Sequence, residues 1–256
     1  MEMSKLLRLS PAEKEMMDER TKDNAVVRTA KIKKEHIIEA LTELRLWAFC
    51  LATLLFCFRN GGMTNYDSSI MKSFGFTSLQ SILLMIPTGA LNIIFILLSV
   101  YIVKKTNQTI YVACAAMISG TIGTLLMVVI PVSRLKLIGQ YVALSAFPTL
   151  VLMLASIANN VSGYTKKIFY NSMIMISYTV GNFIGPYIMS DQFAPYYIPS
   201  FVIFIVANVL GVILLLIARW RMAVANRHRL SQPIGEKTKA EDDLTDVQDS
   251  NFIYRL

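Results

Sequence analysis

The segment Phe58-Arg59-Asn60-Gly61-Gly62-Met63-Thr64-Asn65-Tyr66 follows residues 46–57, a run without a charge. Arg59 is the first group here that could do chemistry. A guanidinium deep in an apolar segment costs roughly 2.5–3.5 kcal/mol to insert into a membrane. It escapes that cost by reaching outward to the interface, or by facing a water-filled path where it can bind an anion. Gly61 and Gly62 each weaken helical order by about 1 kcal/mol relative to alanine. With Asn60, Thr64, Asn65 and Tyr66 beside them, they predict a broken helix whose freed carbonyls line a path. The alternative is that the glycines only admit a neighbouring helix. A second polar set lies at Asn171, Tyr178 and Asn182, spaced seven and four apart and so on one helical face. Gly181 and Gly185 form a small-residue pair at the spacing that lets backbones approach, followed by Pro186. Asn92, Gln140 and Tyr141 are isolated polar residues in other apolar segments.

The elements that must hold these groups are membrane helices. The chain is 54% hydrophobic and 16% charged, where soluble domains are nearer a quarter charged. Between residues 44 and 235 the only acids are Asp67 and Asp191. Six segments are long enough to cross a hydrocarbon layer of about 30 Å: 45–66, 79–103, 110–131, 137–159, 167–189 and 198–220. The expected fold is all-α, a polytopic bundle over 45–222. Residues 1–44 read as a cytoplasmic, linker-like amphipathic helical tail and 223–256 as a disordered cytoplasmic tail. Within the first tail, Ser10-Pro11-Ala12-Glu13 opens a helix to about Thr21. Residues 28–44 place Ile37, Ile38, Leu41 and Leu44 on one side, for the membrane surface or for protein. Thr77-Ser78-Leu79-Gln80 is a capping-box pattern opening the second span.

Charge sets the orientation. Of 25 lysines and arginines, 21 fall on the side that holds both chain ends, and three (Lys72, Arg134 and Lys136) on the other; Arg59 is the last. This places both termini in the cytoplasm. The net charge of +8 is then a topology signal, and no nucleic-acid partner is expected. Cys50, Cys57 and Cys114 read as packing residues, and His36 and His228 as solvated. No metal or cofactor is expected. With no HExxH, GxSxG or phosphate-binding lysine loop, the chain does not read as an enzyme. With the first span ending at residue 66, no carboxylate falls inside a span to relay protons.

Several phrases occur together in order: "NGGMTNY", "KSFGFTSLQSILLMIPTGA" (72–90), "IANNVSGYTKK" (157–167), "GNFIGP" (181–186), and Ala194, Pro195 and Tyr197. Over about residues 1–222 the chain resembles the carboxyl-terminal half of fungal allantoate permease-like anion:cation symporters of the major facilitator superfamily. The resemblance implies twelve helices in two halves, of which these six are the second. It implies small organic anions as substrates, ureido acids or vitamin-like carboxylates, moved with or without protons at the plasma membrane. Asn60, Tyr66 and Asn182 are the positions it places on the path. Arg59 stands where the family is expected to have an uncharged residue, so its role rests on physics alone. Implied partners are the lipid bilayer and a separately encoded first half or another carrier chain. The alternative is a truncated relic, or a regulatory half that docks onto full-length relatives.

Overall fold

The computed structural model describes residues 32–194, 196–231 and 243–256. The helix expected from Pro11 and the motif residue Pro195 lie outside the described residues. The protein is an all-α polytopic membrane protein: among the described residues, every regular element is helical. A short α1 (Lys34–Thr42) leads into α2 (Leu44–Ser73). Then come α3 (Ser78–Leu83), α4 (Ile86–Thr106), α5 (Thr109–Val129), α6 (Lys136–Ala143), α7 (Pro148–Asn160), α8 (Tyr164–Ile188) and α9 (Ile198–Leu230). Helices dominate because lipid offers no hydrogen bond to an open backbone.

Prolines cut two of the expected spans. The capping box at Thr77 forms as read: Gln80 N donates to Thr77 Oγ1 at 3.3 Å, and Thr77 N to Gln80 Oε1 at 3.0 Å. It opens only the six residues of α3, because Pro87 in the first turn of α4 restarts the helix. Likewise Pro148 divides α6 from α7, with one tight turn at Leu144–Ala146 between them.

Among the described residues, five stretches are long and apolar enough to cross a membrane: Leu44–Ser73, Ser78–Thr106, Thr109–Val129, Lys136–Asn160 and Ile198–Leu230. α8 is also long, at 25 residues, but its polar residues lower its hydropathy. Its packing supplies the missing information. It starts beside the start of α2, where Lys166 meets Glu43, and runs parallel to it. Gly181 touches Leu54 and Cys57, and Gly185 touches Phe58 and Gly62. α9 runs antiparallel on another side of α2, with Gly62 against Phe204 and Ala52 against Gly211.

The core divides in two. One cluster, with Phe49, Met117, Met153, Tyr170 and Leu215, lies toward the start of α2. The other, with Met63, Met71, Met127, Phe201 and Phe204, lies toward its end. α4 is different: Ser99 is its one buried residue, and Ile93, Ile94, Leu97 and Tyr101 are all more than half exposed.

Two readings of the tails change. α1 packs on protein through His36 and Ala40, one turn apart, and leaves Ile38 and Leu41 exposed. His36 is therefore buried, not solvated. Residues 243–256, read as disordered from their polarity, pack under the bundle with Asp243, Thr245, Asp246 and Tyr254 buried. α9 also continues ten residues beyond the expected limit of 220 and meets this segment. Asn226 Nδ2 donates to Tyr254 O at 2.8 Å and Arg229 Nη2 to Asp246 O at 2.5 Å. Polar side chains paired with polar side chains order a segment that hydrophobicity alone would leave loose.

Candidate functional site

α2 continues through Gly61 and Gly62 without a break. The broken helix expected there does not occur, for a physical reason that the glycines themselves supply. A Cβ on Gly61 would lie 2.3 Å from Asn182 O, and one on Gly185 would lie 2.5 Å from both Gly62 N and Phe58 O. Four glycines, Gly61, Gly62, Gly181 and Gly185, thus bring α2 and α8 into backbone contact. Pro186 lies inside α8 and has no N–H to return to the carbonyl four residues earlier, which is that of Asn182. That freed carbonyl is the one lodged against Gly61. The polar side chains of α2 also satisfy its own turns: Thr64 Oγ1 donates to Asn60 O at 2.7 Å and Asn65 Nδ2 to Gly61 O at 2.9 Å.

The seam joins two of the expected site residues. Asn60 Nδ2 donates to Asn182 Oδ1 at 2.7 Å, and Asn182 Nδ2 donates to Tyr178 O at 2.8 Å. Tyr178 packs against the core cluster that lies toward the start of α2. Tyr66 lies farther out, with its ring edge-on to Tyr197 at 5.8 Å. Asn171 is exposed and is not drawn into this group, although it shares the helical face.

Arg59 is the exception in the bundle. It is 6% exposed, and its Nε and Nη2 are enclosed with no hydrogen-bond partner. Along α2 it falls between Ala52 and Gly62, two positions that touch α9. On α9, Asn208 falls between the matching Phe204 and Gly211. Asn208 is 1% exposed, and both Nδ2 and Oδ1 lack a partner. α2 and α9 thus each carry a buried polar group without a hydrogen-bond partner. Buried polar atoms are otherwise nearly always bonded, so Arg59 and Asn208 stand out in this apolar interface. The sequence reading missed Asn208, although an isolated asparagine in the apolar run 201–217 was a usable signal.

The outer part of α2 adds an acid. The helix runs to Ser73, so Asp67, which the shorter expected span left outside, is part of it. Gln140 Nε2 of α6 donates to Asp67 Oδ1 at 2.8 Å, and Tyr141 OH donates to Leu84 O at 3.1 Å. Two residues that look isolated in the sequence thereby find partners on other helices, Gln140 on the carboxylate of α2 and Tyr141 on the end of α3.

A second polar cluster closes the opposite end of the bundle. Lys166 is fully buried; its Nζ meets Glu39 Oε1 at 2.7 Å, Asp246 Oδ1 at 2.8 Å and Glu43. Arg45 Nη2 meets Glu43 Oε2 and Asp246 Oδ2, both at 2.5 Å. Its guanidinium also stacks 4.5 Å from the centre of the Tyr254 ring. Tyr170 OH donates to Glu43, and Tyr254 OH to Asp246 Oδ2 at 2.7 Å. Burial works against ionised Asp246, but Arg45 and Lys166 beside it hold its carboxyl below the ordinary carboxylate range. The sequence showed Lys166 only as half of a basic loop. Its partners lie 123 and 127 residues before it and 80 after it, so no local pattern could reveal them. An apolar groove between α5 and α9, lined by Ile122, Leu125, Val209 and Ile213, offers no charge to an anion.

No protein-family model matches the chain, and no solved structure does. Curated relatives do. An uncharacterised transporter of Schizosaccharomyces pombe is 30% identical over 265 residues, which cover 100% of this chain and 52% of the relative. The allantoate permease of Saccharomyces cerevisiae is 29% identical over 273 residues, 99% of this chain and 50% of the permease. An MFS-type transporter of Penicillium expansum is 26% identical over 249 residues, 96% of this chain and 52% of the transporter. The chain spans about half the length of these relatives, as a carboxyl-terminal half would.

Proposed function

We propose, for a chain that is a homologue of major-facilitator-type transporters, that it supplies one six-helix half of a carrier for small organic anions. Substrates of the ureido-acid or vitamin-like carboxylate class cross by alternating access, with binding near the membrane midplane. The observation that carries this reading is Arg59: a buried guanidinium with two unpaired nitrogens. A cation without a partner in a low-dielectric interior is costly. It is retained where an anion arrives to pair with it. Asn208 on the adjoining α9 offers a buried neutral donor and acceptor, and the Asn60–Asn182 pair supplies a polar patch on the α2–α8 seam. The relative named as an allantoate permease supports the substrate class.

The almost uncovered α4 supports a second six-helix half as partner, on the same chain or another. The skewed distribution of lysine and arginine supports a cytoplasmic position for the Lys166 cluster and both chain ends. The same uncovered helix favours one rival, a regulatory half that docks onto full-length relatives without transporting.

Uptake of radiolabelled allantoate into proteoliposomes separates the two. The full chain is tested alone and together with the first six helices of the Saccharomyces cerevisiae allantoate permease. Uptake that disappears in Arg59→Met, with membrane insertion intact, is the expected result. Uptake unaffected by that substitution overturns the role of Arg59. Its absence in both preparations favours the docking half.

A further inference from the structure

The groove between α5 and α9 is apolar along its length, but a cation stands at one end of it. Met117 lies against Gly211, and the Arg219 guanidinium stacks 3.6 Å from the centre of the Tyr111 ring. The two helices therefore run antiparallel in one register. Tyr111, Ile118 and Ile122 are spaced seven and four apart, on one face of α5. Val209, Ile213 and Trp220 are spaced four and seven apart, on one face of α9. The groove residues Ile118, Ile122, Val209 and Ile213 are each about half exposed, so their medium is hydrocarbon. Arg219 and Tyr111 close the end nearer the Lys166 cluster, where Thr109 N donates to Leu256 O at 3.0 Å. Arg219 Nη2 donates to Gln108 Oε1 at 2.7 Å. Its Nε is enclosed without a partner, and its Nη1 is not enclosed and bonds to none of the described residues. No Asp or Glu occurs in 92–112 or 198–235, and among the described residues no carboxylate pairs with Arg219. Trp220 beside it is 60% exposed, and exposed tryptophan and tyrosine mark the level of lipid headgroups.

We infer that this groove is a site for one anionic phospholipid, with an acyl chain between α5 and α9 and the phosphate on Arg219. The inference goes beyond the transport reading and does not depend on it. The occupant must carry a negative charge at one end and hydrocarbon over the rest, and a phospholipid carries both. A further apolar helix in the groove would leave the guanidinium without an anion. The lengths agree: Ile118 lies about 10 Å along α5 from Tyr111, and the apolar half of one leaflet is about 15 Å deep. A chain anchored at Arg219 therefore reaches into the groove. The Tyr111 ring covers one side of the guanidinium and the Gln108 side chain takes one nitrogen, so the cation is held in place before the lipid arrives. The lysine and arginine bias puts this end in the cytoplasmic leaflet, which is the one rich in anionic lipid. Lys104 and Lys105, exposed in the last turn of α4, add positive charge a few residues before Gln108. Arg221 is exposed as well, but residues two apart on a helix do not share a face, so it serves as a control.

The test uses the full chain carrying Trp47→Phe, which leaves Trp220 as its one tryptophan, in vesicles of phosphatidylcholine mixed with phosphatidylserine. One lipid or the other carries brominated chains, and quenching of Trp220 fluorescence reports which of them sits beside it. Phosphatidylserine is expected to bind there roughly fivefold more tightly than phosphatidylcholine. Arg219→Gln is expected to bring the two lipids to parity, and Arg221→Gln to leave the preference unchanged. Equal quenching by both lipids in the unsubstituted site overturns the proposal. An equal loss in the two arginine variants assigns the effect to diffuse surface charge and also overturns it. Glycerophosphoserine, the same headgroup without chains, is expected not to compete; displacement by it overturns the role of the groove. High salt checks the site without altering Arg219. A half-buried ion pair is screened little, so the preference is expected to persist, and its disappearance in salt overturns the assignment to this residue.

Discussion

Two arginines on one helix are buried to nearly the same degree and have opposite surroundings. Arg45 is 8% exposed and Arg59 is 6% exposed. Arg45 has two carboxylates within 2.5 Å and an aromatic face over its guanidinium. Arg59 has two nitrogens without a hydrogen bond. Burial alone therefore says nothing about role. A satisfied buried charge holds elements together, because each partner would be left uncompensated without the other. An unsatisfied one is a cost to the fold, which the proposed anion would offset.

The sharpest way to break this contrast is to remove a cation from the satisfied end. Lys166→Met leaves Glu39, Glu43 and Asp246 short of a counter-charge and is expected to destabilise the protein by about 3–5 kcal/mol. Thermal unfolding in detergent would show it as the largest fall in Tm of any variant discussed here. An unchanged Tm would remove the structural role of that cluster.

Acid acts on the same cluster more gradually. Asp246 is held below its ordinary range, so its contribution is present in full above an unfolded value of about 3.9. It is lost as pH falls through the lower folded value. Limited proteolysis should find residues 243–256 protected at neutral pH and cut increasingly below about pH 4. Equal cutting at both would mean that Asp246 does not hold the segment.

The close-packed seam comes next. Gly61→Ala must push α8 away from α2, at an expected cost of about 1–3 kcal/mol by denaturant titration.

At the unsatisfied end the sign reverses. Arg59→Met removes an orphaned charge, and stability is expected to rise by about 1–3 kcal/mol while allantoate uptake is lost. A fall in Tm would place Arg59 with Arg45 as a structural cation. The smallest effect is expected from Asn60→Ala, which removes one interhelical hydrogen bond of about 0.6 kcal/mol. Uptake that survived it would take Asn60 off the path.

The sequence-level reading was sound where a rule is local and misleading where partners are distant. Apolar runs located the long helices, and the Thr77–Gln80 box was visible because its four residues are adjacent. Gly61 and Gly62 suggested a break, since glycine lowers helical order when nothing else is in view. With α8 in place, the same two residues are what lets the backbones touch. Arg59, Asn60 and Asn182 were named from residue type, and the structure joins the last two by a hydrogen bond. Asn171 shared their spacing, but α8 turns it outward. The ion pairs of Lys166 and Asp246 were not legible, because the charges that meet them lie 80 or more residues away. The ordered end of the chain was not legible because it is held by polar side chains of several elements, Asn226 and Arg229 among them, and not by an apolar pattern.

Composition and periodicity determined that this chain is a bundle of membrane helices, since an apolar run of sufficient length has no other stable way to pair its backbone in lipid. Tertiary packing alone decided which buried charges are matched. Counter-charges interact through space at a few ångströms, and their separation along the chain does not set that distance. Lys166 therefore found three acids, while Arg59 was left with nitrogens to spare.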